Sequence, residues 1–124
     1  MAIVHKTNTQ VLAAPGAIFN AKIETDEIVM DNFGAVHFVI MSGEGATKKI
    51  DVEIIATDAE GKNEQVLTEQ EITVGGKNTT TIVADADRIA KGGFDRIYLK
   101  ADNAALAAVN GAIIAIKTNE RYSQ

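Results

Sequence analysis

Val36-His37-Phe38-Val39-Ile40-Met41, then Ser42-Gly43-Glu44-Gly45, then Lys49-Ile50-Asp51-Val52-Glu53-Ile54 is the stretch that decides the fold. The first run is apolar at nearly every position, His37 apart, too short for a buried helix and rich in β-branched and aromatic residues. It reads as a strand with both faces covered. The glycine-rich segment supplies a turn. The third run alternates apolar with charged residues, and period two places Ile50, Val52 and Ile54 on one buried face and Lys49, Asp51 and Glu53 on a wet one. A two-sided strand, a tight turn and a one-sided strand predict an antiparallel β protein.

The same grammar runs outward in both directions. Phe19, Ala21 and Ile23 alternate with Asn20, Lys22 and Glu24, and Ile97 and Leu99 alternate with Arg96, Tyr98 and Lys100. Ala112-Ile113-Ile114-Ala115-Ile116 is a second run apolar on both faces, suited to a central strand or to one whose outer face meets another subunit. Turn residues separate the runs at Asp31-Asn32-Phe33-Gly34, Asp58-Ala59-Glu60-Gly61-Lys62-Asn63 and Gly75-Gly76-Lys77-Asn78. Such spacing predicts a mainly β sandwich of about eight strands. One or two short helical turns are added, one N-capped by Asp85 over Ala86–Lys91 and stopped by Gly92, the other in the alanine cluster Asn103–Ala108. Lys6-Thr7-Asn8-Thr9-Gln10 is polar and aperiodic, and Val11–Gly16 ends in the breaker pair Pro15-Gly16. Residues 1–15 are therefore read as an N-terminal arm that orders against something else, and 16–124 as a single β-sandwich domain.

With 124 residues, 46% of them hydrophobic, the chain is long enough for one packed core. Its net charge of −5 and scattered lysines, only Lys48-Lys49 being adjacent, speak against nucleic acid or an anionic membrane as partner. No apolar run approaches the ~18 residues of a membrane span. The segment from Met1 to Lys6 lacks the pattern of a secretory signal, which places synthesis in the cytoplasm. The absence of cysteine excludes thiolate metal sites and cysteine nucleophiles.

No motif carries chemistry. Gly43–Lys49 lacks the P-loop spacing. Asp58–Glu64 offers oxygens, but Lys62 intrudes on the alternate-position ligand pattern of a calcium loop, and a solvated turn accounts for it. His5 and His37 are far apart in sequence, and His37 among apolar neighbours reads as a hydrogen-bonded or interface residue. Ser42 has no nucleophile-elbow context. Aromatic residues make up 5% of the chain, a poor basis for a sugar-binding platform. The chain is read as a non-enzyme that needs no metal and no cofactor. The positive signal is a surplus of apolar surface, from two two-sided strands and the run Ala104–Val109, which a homo-oligomer interface would absorb.

Three features together resemble the small jelly-roll decoration, or cement, proteins of tailed bacteriophages: a polar N-terminal arm leading into a strand; Asp31–Ile40 followed by a glycine-rich turn and the strand Ile50–Ile55; and Phe94–Lys100, an Ala/Asn-containing connection, then Gly111–Ile116. The likeness is one of pattern and order over most of residues 16 to 118. It implies a jelly-roll β-sandwich that assembles as a homotrimer on the virion's capsid surface, clamping neighbouring copies of the major capsid protein. Such a family has no catalytic residues to carry across and makes its contacts through arms and loops. By position, that assigns shell contact to Ala2, Ile3, Val4, His5, Lys6, Thr7, Asn8, Thr9 and Gln10. The competing readings are another head or tail component, a monomeric carbohydrate-type β-sandwich, and a small cupin-like enzyme. The last lacks a clustered set of metal ligands.

Overall fold

The computed structural model describes residues 7–20, 22–29, 33–58, 60–85, 94–101 and 109–120. Among the described residues nine strands run in the order β1 (Thr7–Gly16), β2 (Ile23–Glu24), β3 (Ile28–Val29), β4 (Phe33–Ser42), β5 (Lys48–Thr57), β6 (Gln65–Val74), β7 (Thr79–Asp85), β8 (Arg96–Ala101) and β9 (Gly111–Glu120). They form two antiparallel sheets, β1-β9-β4-β7 and β2-β8-β5-β6, with β3 also on β8. If β2 and β3 count as one broken strand, the hairpin partners are nested. First pairs with last (β1 with β9), second with second-last (β2/β3 with β8), third with third-last (β4 with β7), and the middle two pair together (β5 with β6). A long hairpin rolled so that β9 meets β4 and β8 meets β5 is the jelly roll. The expected mainly β sandwich is therefore observed, and the two runs read as two-sided, in β4 and β9, are the inner pair of one sheet.

The core lies between the sheets. Val36, Phe38 and Ile40 of β4, Ile113 and Ala115 of β9 and Ile82 of β7 pack against Ile50, Val52 and Ile54 of β5, Ile97 and Leu99 of β8, and Ile72 and Val74 of β6. Alternation fixes this register, because a slip of one residue would turn Phe38 outward and His37 inward.

Three local features depart from the sequence reading. First, residues 7–16, read as an arm, form a ten-residue strand. Thr7 stands opposite Thr118, Gln10 opposite Ala115 and Gly16 opposite Gly111. Their partner is the chain's own β9. Polarity hid the strand: β1 is a sheet edge, where polar residues, Pro15 and the two register shifts after Val11 and Ala13 are all tolerated.

Second, the run from Phe19 to Glu24 is not a continuous strand. Ile18–Asn20 forms a 3-10 turn and only Ile23–Glu24 pairs with β8. The chain must cross here from one sheet to the other, and the fully buried Phe19 plugs the end of the sandwich. A Cβ at Gly111 would run into that ring and into the carbonyl oxygen of Met41, so the start of β9 requires glycine for space.

Third, β2 and β3 are separated by Thr25, Asp26 and Glu27, and Thr25 bridges to β8. Its N–H donates to the Leu99 carbonyl (2.9 Å) and its Oγ1 accepts the Leu99 N–H (3.0 Å), so a side chain completes the ladder at the break. The helical turns expected over Ala86–Lys91 and Asn103–Ala108 lie outside the described residues.

Two loops are zipped together at one end of the sandwich. Gly76 N–H donates to the Gly45 carbonyl and Lys77 N–H to that of Gly43, joining the β4–β5 and β6–β7 connections. Gly75, Gly76 and Lys77 all have positive φ (88°, 63° and 60°). Ser42 Oγ sits at the junction, donating to the Asn78 carbonyl (3.0 Å) and accepting from Gly75 N–H (2.9 Å).

Candidate interaction surface

The two outer faces of the sandwich differ in chemistry. On the β2-β8-β5-β6 sheet, the cross-strand rows read Glu24, Lys100, Glu53, Glu69 and, next to it, Asp51, Glu71. This is the wet face predicted by alternation in β5 and β8, with one change. Tyr98 stands on it yet is only 7% exposed, lying beside the buried Ile55.

The outer face of the β1-β9-β4-β7 sheet reads differently. One row is Val11, Ile114, Val39, Thr81; the next is Thr9, Ile116, His37, Val83; a third is Ala112, Met41, Thr79. Among the described residues these rows hold no Lys, Arg, Asp or Glu; the nearest charge is Asp85, opposite Ala35. Val11 is 60% exposed and Val83 46%. Val39, Met41, Ile114 and Ile116 are partly exposed. An antiparallel sheet facing water normally carries polar residues on its outer side. Toward one end the face runs into an open groove of about 470 Å³ between Pro15, Met41, Gly43, Asn110 and Ala112.

A second concavity, about 210 Å³, lies on the charged side among Glu24, Thr25, Glu27, Glu64 and Tyr98. Tyr98 Oη donates to Glu64 Oε2 (3.1 Å), Thr57 Oγ1 donates to Glu27 Oε2 (3.0 Å), and Arg96 pairs with Glu27 at 3.7 Å. Burial, and then the carboxylate of Glu64, push the Tyr98 hydroxyl up to about 12, which keeps it a neutral donor. In the notch, Glu27, Glu64 and Thr25 are already engaged by their neighbours.

The sequence-derived candidates distribute as follows. Thr7, Asn8, Thr9 and Gln10 lie in β1; Ala2, Ile3, Val4, His5 and Lys6 lie outside the described residues. Asp58, weighed as a calcium ligand, spends its carboxylate on its own loop. Oδ1 accepts Glu60 N–H and Lys62 N–H (both 2.9 Å), and Oδ2 accepts Asn63 Nδ2 (2.8 Å). These bonds, led by that from Lys62, hold its carboxyl below the usual aspartate range. Ser42 is a structural junction. His37 stands on the apolar face between Ile116 and Val83. The face itself was only half legible: two-sided runs announced that β4 and β9 were unusual, but not that they are neighbours, nor that Val11 and Val83 extend them.

A jelly roll with one acidic and one largely apolar outer face is the class these observations define. Among solved structures, the chain is similar to a protein named YomS derived from the SPBc2 prophage, at TM-score 0.62 and 12% identity, covering 96% of this chain and 98% of that one. It is also similar to a structure of infectious bursal disease virus, Gx strain, at TM-score 0.55 and 11% identity, covering 97% of this chain but 33% of the viral one. At these identities the likeness is one of fold. No protein-family model and no curated protein matches the chain.

Proposed function

We propose that this protein is a structural virion component, a decoration protein that binds and stabilises an assembled bacteriophage head as a homotrimer, and that it is not an enzyme. The observation carrying the reading is the run of three charge-free, largely apolar rows on the outer face of the β1-β9-β4-β7 sheet, a broad contact surface rather than a pocket of convergent polar groups. The origins of the two fold neighbours, a prophage and a virus, support it. So does the acidic charge, which suits a protein partner better than nucleic acid. Its partner in this reading is the major capsid protein. Several weak contacts per trimer add up by avidity, with no need for a deep site.

The test is cosedimentation of the purified protein with assembled empty heads, and separately with unassembled capsid protein, from the phage that carries its gene. Saturable binding to shells alone is expected. Absence of shell binding, or equal binding to free subunits, overturns the proposal. Thr7–Gln10 belong to a strand, so the arm is tested by removing Ala2–Lys6 only, which is expected to weaken shell binding while leaving the far-ultraviolet spectrum intact.

A further inference from the structure

We infer that the outer face of the β1-β9-β4-β7 sheet is the surface through which copies of this chain meet one another. The inference goes beyond the reading above, since a face that meets its own copy pairs two chains, and it does not depend on the shell.

The charge distribution selects the occupant. The chain carries a net −5, so a second copy is an acidic partner. If copies met through the β2-β8-β5-β6 face, Asp51, Glu53, Glu69 and Glu71 of one would approach the same residues of another, and directly opposed like charges destabilise. Through the β1-β9-β4-β7 face, three consecutive rows meet with no charge on either side. A face built of Val11, Val39, Met41, Ile114, Ile116 and Val83 is complementary to apolar surface, including its own.

The extent is sufficient. Strands β1, β4 and β9 are each ten residues long. At ~3.3 Å per residue and ~4.8 Å between four strands, the face measures roughly 600 Å². Two copies together would cover about 1,200 Å², the lower end of standard specific interfaces. Sheets stack readily face to face at ~10 Å, so the geometry asks for no rearrangement.

The experiment is absolute mass by light scattering after size exclusion, on the full chain and three variants. A face stacked on its own copy closes as a pair, so the unaltered protein is expected at twice 13.2 kDa, and a mass three times that value would keep the homotrimer proposed above while overturning this face-to-face contact. Val39→Glu, at the centre of the face, is expected at the single-chain mass with its β spectrum intact. Val11→Lys answers for misfolding: it alters a side chain 60% exposed and is expected to weaken association at least tenfold on dilution. Glu69→Gln, on the other face, is expected to keep the oligomer. A single-chain mass for the unaltered protein overturns the inference, as does an unchanged mass for Val11→Lys and Val39→Glu. The two proposals fail separately: an oligomer that ignores shells removes the cement role and keeps this interface, whereas shell binding by a protein whose mass does not respond to Val39→Glu does the reverse.

Discussion

Replacing Gly75 by alanine tests the zipped loop pair. Gly75 has φ +88°, and a Cβ there would strike the backbone carbonyl oxygen of Ala46. Left-handed backbone costs an ordinary residue ~1–2 kcal/mol. The clash is with backbone, so the β4–β5 loop must also move, which strains the bonds from Gly76 to Gly45 (3.1 Å) and from Lys77 to Gly43 (3.0 Å). Each is worth ~0.5–1.5 kcal/mol. The total is about 3 kcal/mol, a large share of the ~5–15 kcal/mol that holds a domain folded. Gly76→Ala is the matched control. Its φ is also positive (+63°), but the added Cβ would meet only the side-chain methyl of Thr47 at 3.0 Å, so the cost is confined to the ~1–2 kcal/mol of backbone strain. Urea unfolding followed by far-ultraviolet circular dichroism, at one fixed protein concentration, reads both. With a slope of ~2 kcal/mol per molar, Gly75→Ala is expected to lower the midpoint by about 1.5 M and Gly76→Ala by about 0.5–1 M. Midpoints for the two variants within ~0.2 M of each other would refute the claim that the carbonyl of Ala46 is what excludes a side chain at position 75.

Three further outcomes follow from the geometry. Ser42→Ala leaves the buried Gly75 N–H without its acceptor and is expected to cost ~1–3 kcal/mol by the same assay. Tyr98 is expected to ionise near 12 in an ultraviolet titration, and Glu64→Gln to bring that value down only part way, because burial is the first cause. Its folded value lies above the ordinary ~10, so the stability it contributes is present below ~10 and is lost as pH rises toward about 12. Asp58 has the opposite sign. Its folded value is depressed, so its contribution is present above ~3.9 and disappears as pH falls through the folded value. Hydrogen-exchange protection of the Lys62 amide is expected to drop between pH 5 and pH 2; equal protection at both would remove the loop bonds from the account.

How much could be read without coordinates depended on where each strand sits. In β5 and β8, packing between sheets imposes period two, so Ile50, Val52, Ile54, Ile97 and Leu99 were legible as core. β4 and β9 are apolar on both faces, so the runs were legible as strands but not that Val36, Phe38 and Ile113 are the inward set. β1 was not, because an edge strand in a register-shifted pairing needs little pattern, and Thr7-Asn8-Thr9-Gln10 looks like coil by composition. The alternation of Phe19, Ala21 and Ile23 reported the burial of Phe19 correctly but not the 3-10 turn, since a plug and a strand residue bury the same side chain. Tyr98 looked wet because alternation assigns a face and not an exposure. The apolar face was visible only as a surplus: composition counts apolar residues, but only pairing reveals that Ile114 lies between Val11 and Val39.

The nested pairing has a consequence for the order in which the chain can be completed. β9, the last in chain order of the described strands, occupies the slot between β1 and β4 and is bonded on both sides. Until Gly111–Glu120 is available, that sheet is split, with β1 detached from β4 and two open ladders facing each other. Closure thus brings residues about a hundred positions apart together, and all-β topologies of this kind fold in milliseconds to seconds. A chain cut before Gly111 lacks the keystone of its sheet and leaves a vacancy shaped for one sequence. A synthetic Gly111–Glu120 peptide, or β9 donated by a neighbouring molecule, fits that vacancy by the same bonds the intact chain makes to itself.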